Sequence, residues 1–124
     1  MTSTELRSIF LCIAEGEVGT REQGGNNRGA AVVNYQRATW LDPAPWPWCA
    51  AFVAWTIREW LKFPGVAKTL GIEDVEEWRP KSAAAFDYVK WAAKRRLKIL
   101  PEQAPVKAGD LVIYDFSHIG ILCE

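Results

Sequence analysis

Leu6, Ile9, Phe10 and Ile13 recur three and four residues apart behind Thr2 and Glu5. That spacing gathers apolar side chains on one face of a helix, and the Thr and Glu three residues apart form a capping box at its start. The pattern predicts an amphipathic first helix that ends near Gly16. From Gly16 to Gly29 the chain is rich in Gly, Asn and charge and reads as a loop, with Asn26 or Asn27 placed to cap a second helix running to about Thr39. Val32, Tyr35 and Thr39 would share one side of that helix. The prolines of LDPAPWPW, Leu41 to Trp48, exclude helix and make a stiff extended approach to the next element.

The helical period returns in CAAFVAWTIREWLKF, where Cys49, Phe52, Val53, Thr56 and Trp60 form a broad stripe and Arg58 faces away. Trp55 and Trp60 are expected in the core. Ser82 opens a further helical pattern, SAAAFDYVKWAAKRR, with Phe86, Val89 and Ala93 on one face and a cationic last turn suited to the helix dipole. After PEQAPVKAG the period shortens to two: DLVIYD and HIGILC are short β-branched runs that read as a hairpin. Helices first and strands last define an α+β domain, residues 1–124, with N-terminal helices packed on a small antiparallel sheet. Two strands make a marginal sheet, and the chain stops at Glu124 directly after the second, so the sheet is expected to be incomplete at its C-terminal end.

Composition narrows the function classes. With 49% hydrophobic and 24% charged residues the chain is globular rather than disordered. Fifteen Lys and Arg balance 15 Asp and Glu, so no broad positive field attracts nucleic acid or anionic lipid. The longest apolar run near the N-terminus, Ile9 to Ala14, is too short for membrane insertion and lacks the basic leader of a signal peptide. Synthesis in the cytoplasm, with release or delivery to any outside target, is the expectation. The three cysteines, Cys12, Cys49 and Cys123, have neither a disulfide framework nor zinc spacing, which disfavours a disulfide scaffold and a zinc site; no metal and no cofactor are expected. The basic cluster Lys94, Arg95, Arg96 and Lys98 and the acidic cluster Glu73, Asp74, Glu76 and Glu77 read as solvated faces.

Two residues carry candidate chemistry. Cys49 stands at the first turn of an apolar helix, where the positive end of the helix dipole stabilises a thiolate, the nucleophilic form; read by periodicity alone it is a small core residue. His118, the single histidine, has the side chain whose ordinary pKa suits proton transfer near neutrality, and it also reads as a hairpin residue. Cys12 and Cys123 are assigned structural positions.

PWCAAFVAW around Cys49, followed after a helical spacer by AGDLVIYDFSHIGI, resembles the CHAP family, the cysteine, histidine-dependent amidohydrolases and peptidases of the papain-like superfamily that cleave bacterial peptidoglycan. The upstream EGEVGTREQGGNNRGAAVVNYQ is similar to the lead-in of phage endolysin-type members. The resemblance covers residues 14–60 and 106–123. It implies a papain-like fold and a peptidoglycan amide hydrolase, endopeptidase or N-acetylmuramoyl-L-alanine amidase, with Cys49 as nucleophile and His118 as general base. The Cys49 N–H and a neighbouring polar group would form the oxyanion hole. In the family a polar residue on the next strand orients the histidine, and that strand is missing here. Asp115 is the residue assigned instead, with Glu22, Asn26 and Asn27 as further candidates and as substrate contacts; each of the four reads equally well as a turn or cap residue. Glu124 would lie too far along the strand. Trp46 and Trp48, stiffened by proline beside Cys49, would wall the substrate groove. A thiol acyltransferase using the same pair, or a catalytically silent cell-wall or phage structural module, are the alternatives. The open HIGILC edge is expected to promote self-association.

Overall fold

The computed structural model describes residues 1–123 and contains, among them, six helices and one hairpin. Helix α1, Ser3–Glu15, begins as its sequence requires: Thr2 Oγ1 accepts the Glu5 N–H at 3.1 Å and the Glu5 carboxylate accepts the Thr2 N–H at 3.2 Å. Phe10 is buried, and Leu6 and Ile9 pack against the same core.

Helix α2, Ala30–Gln36, is shorter than its pattern suggests, and neither Asn26 nor Asn27 caps it. Asn27 sits at a φ of 58°, its N–H donates to the Glu22 carboxylate, and its side-chain amide donates to Pro45 O at 3.4 Å. The residue before the first turn is instead Gly29, at a φ of 121° that a side chain rarely tolerates. At the other end Thr39 Oγ1 donates to Gln36 O at 2.7 Å, so Thr39 lies in a turn and only Val32 and Tyr35 of the expected face are buried. Gln36 is buried too. Its amide donates to Ala44 O at 2.8 Å and its Oε1 accepts the Ala44 N–H at 3.2 Å, which fastens the proline-rich segment to α2.

Helix α3, Cys49–Lys62, is the centre of the molecule. It buries more than one stripe: Ala50, Ala51, Val53, Ala54, Thr56, Ile57 and Leu61 are all covered, whereas Cys49, Phe52 and Trp60 are half-buried. The reason is that α1, α2 and the hairpin pack against it from several directions, with alanines allowing close approach. Trp60 still packs on the core and donates its indole N–H to Leu6 O at 3.0 Å. Arg58, expected to face away, has a side chain only 19% exposed.

The segment between α3 and Ser82 folds into two short helices that hydrophobic periodicity does not announce. Helix α4, Val66–Leu70, is bracketed by left-handed Gly65 and Gly71, and α5, Val75–Trp78, is capped by Asp74 accepting the Glu77 N–H at 3.1 Å. The acidic cluster is therefore built into structure. Glu76 pairs with Arg79 at 2.8 Å and Glu77 with Arg95 at 3.2 Å, and Arg95 also donates to Trp78 O, so neither charge cluster is merely solvated.

Helix α6 is Asp87–Lys94 and starts five residues after Ser82. Ser82 Oγ accepts the Ala84 N–H and donates to Asp87, a local turn that competes with helix. Its buried residue is Tyr88, with Trp91 half-buried, while Phe86, Val89 and Ala93 are exposed. The sequence offers two apolar stripes on this helix, and periodicity cannot choose between them.

Strands β1, Leu111–Tyr114, and β2, His118–Ile121, form an antiparallel hairpin pairing Leu111 with Ile121, Val112 with Gly120, Ile113 with Ile119 and Tyr114 with His118. Alternation sends Leu111, Ile113, Ile119 and Ile121 to the core and His118 to the other face. Arg7 anchors the hairpin to α1 by donating to Asp110 at 2.8 Å and to Ala108 O at 2.9 Å. One core of Phe10, Val53, Ile57, Leu61, Val66, Tyr88 and Ile119 joins helices to hairpin, an α+β arrangement. No helix among the described residues is long and apolar enough to cross a membrane.

Candidate active site

Cys49 is held by its neighbours on both sides. Trp48, the residue before the helix, stacks on Tyr35 with ring centroids 5.6 Å apart and planes at 25°. Tyr35 is fully buried, meets Phe52 and Trp55 edge-on, and donates its hydroxyl to Glu17 at 2.8 Å. Trp55 therefore belongs to an aromatic cluster that fixes the proline-rich approach. On the other side Tyr88 lies with its hydroxyl 3.0 Å from Ala50 O and 2.9 Å from Ser82 O, pinning the first turn of α3 to the segment before α6. Burial pushes the Tyr88 phenol far above its ordinary pKa.

A cavity of about 1100 Å³ opens beside this turn, and its walls include Cys49, His118, Trp46, Trp48, Asn27 and Phe116. Five residues singled out from the sequence are thus brought together from α3, β2 and two loops. The other three are not. Asp115 is exposed in the hairpin turn, Asn26 is exposed, and Glu22 is engaged with the Asn27 N–H; none of them lines the cavity. Among the described residues no side chain hydrogen-bonds the His118 imidazole, and Glu124 lies outside the described residues.

His118 and Cys49 share the cavity without a hydrogen bond. The imidazole instead joins an exposed aromatic stack, 6.0 Å and 10° from Phe116 and 5.7 Å and 30° from Tyr114. Cys12 and Cys123, expected in structural positions, are both exposed, and Cys123 lines the same cavity as Cys49. The strand pattern reads HIGILC as a run and gives no sign that Cys123 lies at its open end. Sequence reasoning also missed Glu17, Tyr35 and Phe116 as site residues. Tyr35 was legible as a buried face of α2, but its pairing with Trp48 and Glu17 depends on chain segments that meet only in the fold.

The cavity is apolar for most of its surface. Its charged lining is Glu15 and Glu17, with no Lys or Arg among the described residues there. No group of three or more His, Cys, Asp or Glu side chains among the described residues is placed to hold a metal ion. Comparison with protein-family models, curated proteins and solved structures returns no match for this chain.

Proposed function

We propose that this chain is a papain-like, CHAP-type hydrolase that cleaves an amide bond of bacterial peptidoglycan, with Cys49 as nucleophile and His118 as general base. The observation that carries the reading is that a helix-N-terminal thiol and the single histidine, from distant parts of the chain, line one cavity together with Trp46 and Trp48. In this mechanism the imidazole leaves the Phe116 stack, takes the thiol proton and returns it to the leaving amine after the thiolate attacks the carbonyl carbon. Water then hydrolyses the thioester. Catalytic hydrogen bonds tighten when substrate is bound, so the present separation of the two groups is a resting arrangement. The Cys49 N–H, free at the start of α3, is one donor to the oxyanion.

The test is release of new amines from purified cell wall by the wild-type chain and by Cys49→Ser. Turnover that is present in the first and absent from the second supports the reading, and undiminished turnover in the variant removes it. A catalytically silent module of the same fold is the second reading, favoured by the stacked, unbonded imidazole. It predicts wall binding without amine release. Product analysis with an added amine acceptor separates a thiol acyltransferase from a hydrolase.

A further inference from the structure

A second cavity, of about 360 Å³, lies between α6 and the segment that follows α5, and neither Cys49 nor His118 lines it. That volume suits one small molecule. Its carboxylates are already engaged. Glu76 holds Arg79 at 2.8 Å and Lys81 at 3.6 Å, Glu77 holds Arg95 at 3.2 Å, and Asp87 accepts the Ser82 hydroxyl at 2.6 Å. Both arginines are also spent on the chain itself, Arg79 on Ala38 O and Arg95 on Trp78 O. Lys90 and Lys94 line the same wall and have no carboxylate partner among the described residues. They stand one turn apart on α6, where like charges repel, so the wall carries a positive excess on a chain of zero net charge. Trp40 borders this cavity at 74% exposure, anchored by its backbone N–H on Lys81 O at 3.1 Å. Unlike the indoles of Trp60 and Trp91, its indole N–H has no acceptor among the described residues.

We infer that this second cavity binds a sugar bearing one phosphate, with the phosphate on Lys90 and Lys94 and the sugar ring against Trp40. The site is separate from the proposed hydrolase cleft and stands whether or not that reading holds. Charge complementarity selects an anion, and the residue type selects phosphate. A carboxylate is best met by the planar fork of arginine, and both arginines here are occupied, whereas lysines bind phosphate as point charges. The carboxylates select the rest of the ligand. Their remaining lone pairs accept hydroxyl groups, and their charge repels a second anion, which disfavours polyphosphates and nucleic-acid strands. Trp40 offers a broad apolar face on which the C–H face of a pyranose settles, and its N–H is left for one ligand oxygen. The cavity beside Cys49, whose charged lining is Glu15 and Glu17, would repel the same ligand.

The probe is glucose 6-phosphate, titrated into the isotope-labelled wild-type chain while backbone amide and indole resonances are followed. The Trp40 indole signal, assigned by its loss in Trp40→Phe, should move together with the Lys90 and Lys94 amides, and the Cys49 and His118 amides should stay. Lys90→Gln with Lys94→Gln, both exposed positions that leave the core intact, should weaken binding roughly tenfold, the scale of two exposed ion pairs. Trp40→Ala should weaken it by about fivefold. Glucose alone and inorganic phosphate alone should each bind about tenfold more weakly than the phosphosugar, since each makes only part of its contacts. The methyl diester of the same phosphate separates two sources. Preference for the monoester supports a free sugar phosphate, and equal binding supports a sugar carried in a phosphodiester polymer. An unmoved Trp40 signal, inorganic phosphate binding as tightly as the phosphosugar, adenosine monophosphate binding more tightly, or a double-lysine variant that binds like the wild type would each overturn the inference.

Discussion

The His118 imidazole and the Phe116 ring lie almost parallel, 10° apart with centroids separated by 6.0 Å, on the face of the hairpin turned away from the core. Cys49 packs on the core side. A histidine serving Cys49 must therefore exchange one environment for the other, and the stack sets the free energy of that exchange.

Aromatic pairs contribute roughly 0.5–1.5 kcal/mol beyond burial. Phe116→Ala should accordingly release the imidazole and raise kcat/KM on cell wall by about two- to tenfold, whereas His118→Ala should lower it by roughly a hundredfold or more. Steady-state assays of both variants decide the matter. Phe116→Ala with reduced turnover would mean that the stack positions the ring for catalysis.

The exposure of Cys12 and Cys123 determines how Cys49 must be probed. Both are open to solvent and Cys123 borders the same cavity, so alkylation of the unmodified chain reports on three thiols. In the Cys12→Ser, Cys123→Ser background a Cys49 that serves as nucleophile should react with iodoacetamide at neutral pH faster than an unfolded-chain cysteine. That double variant should keep its turnover. A Cys49 that reacts no faster than the unfolded chain would favour the silent module.

Much of the scaffold was legible because local rules acted alone. The Thr2–Glu5 box, the apolar start of α3 and the hairpin all follow from patterns within a few residues, and Cys49, His118, Trp46 and Trp48, singled out from the same text, line one cavity. What failed depended on distant partners. Asn27 was spent on Glu22 and Pro45 rather than on capping α2, and Ser82 tied itself to Asp87 instead of starting α6. The choice of Tyr88 over Phe86 and Val89 as the buried stripe was made by Ala50 and Ser82 carbonyls far away in sequence or hidden in a turn. Asp115 failed to reach the cavity because the turn at Ser117, with a φ of 58°, leaves it at the exposed tip.

Gln36 joins α2 to the wall of the site. Its two hydrogen bonds to Ala44 are made in a buried place, so Gln36→Ala should cost about 2–3 kcal/mol through the unpaired Ala44 groups. Because Ala44 precedes Trp46 and Trp48, the same variant should raise KM more than it lowers kcat. Denaturant unfolding and a kinetic split between the two constants test both halves of this expectation.

Asp110 gives the hairpin an acid-sensitive tether. Burial opposes its ionisation, but the Lys107 N–H and the Arg7 guanidinium outweigh that and hold its carboxyl below the ordinary value. A depressed pKa supplies stability that is present above the unfolded value near 4 and lost as pH falls through the folded one. The wild-type chain should thus lose stability below about pH 4 more steeply than Asp110→Asn. The difference at neutral pH should be about 1 kcal/mol or less, since the Arg7 side chain is 39% exposed. Unfolding midpoints across the acid range provide the comparison.

Tyr88 makes the opposite prediction at alkaline pH. Its pKa is raised by burial, so the folded chain keeps a phenol proton that the unfolded chain gives up near pH 10. The stabilisation is fully present below that unfolded value and declines as pH rises toward the folded one, by about 1.4 kcal/mol for each pH unit. Tyr88→Phe should remove this slope. It should also lower stability at neutral pH by about 1–3 kcal/mol, because the Ala50 and Ser82 carbonyls lose their shared donor. Since those carbonyls fix the first turn of α3, the variant should reduce turnover along with stability, and a conservative rescue is absent because no other side chain carries a hydroxyl so far from the backbone. Unfolding curves at pH 9, 10 and 11 for both chains, taken as order-of-magnitude steps on either side of the tyrosine value, separate the two effects. Parallel slopes would show that Tyr88 is already ionised or exposed in the native state, and would remove the pinning of Cys49 through Ala50.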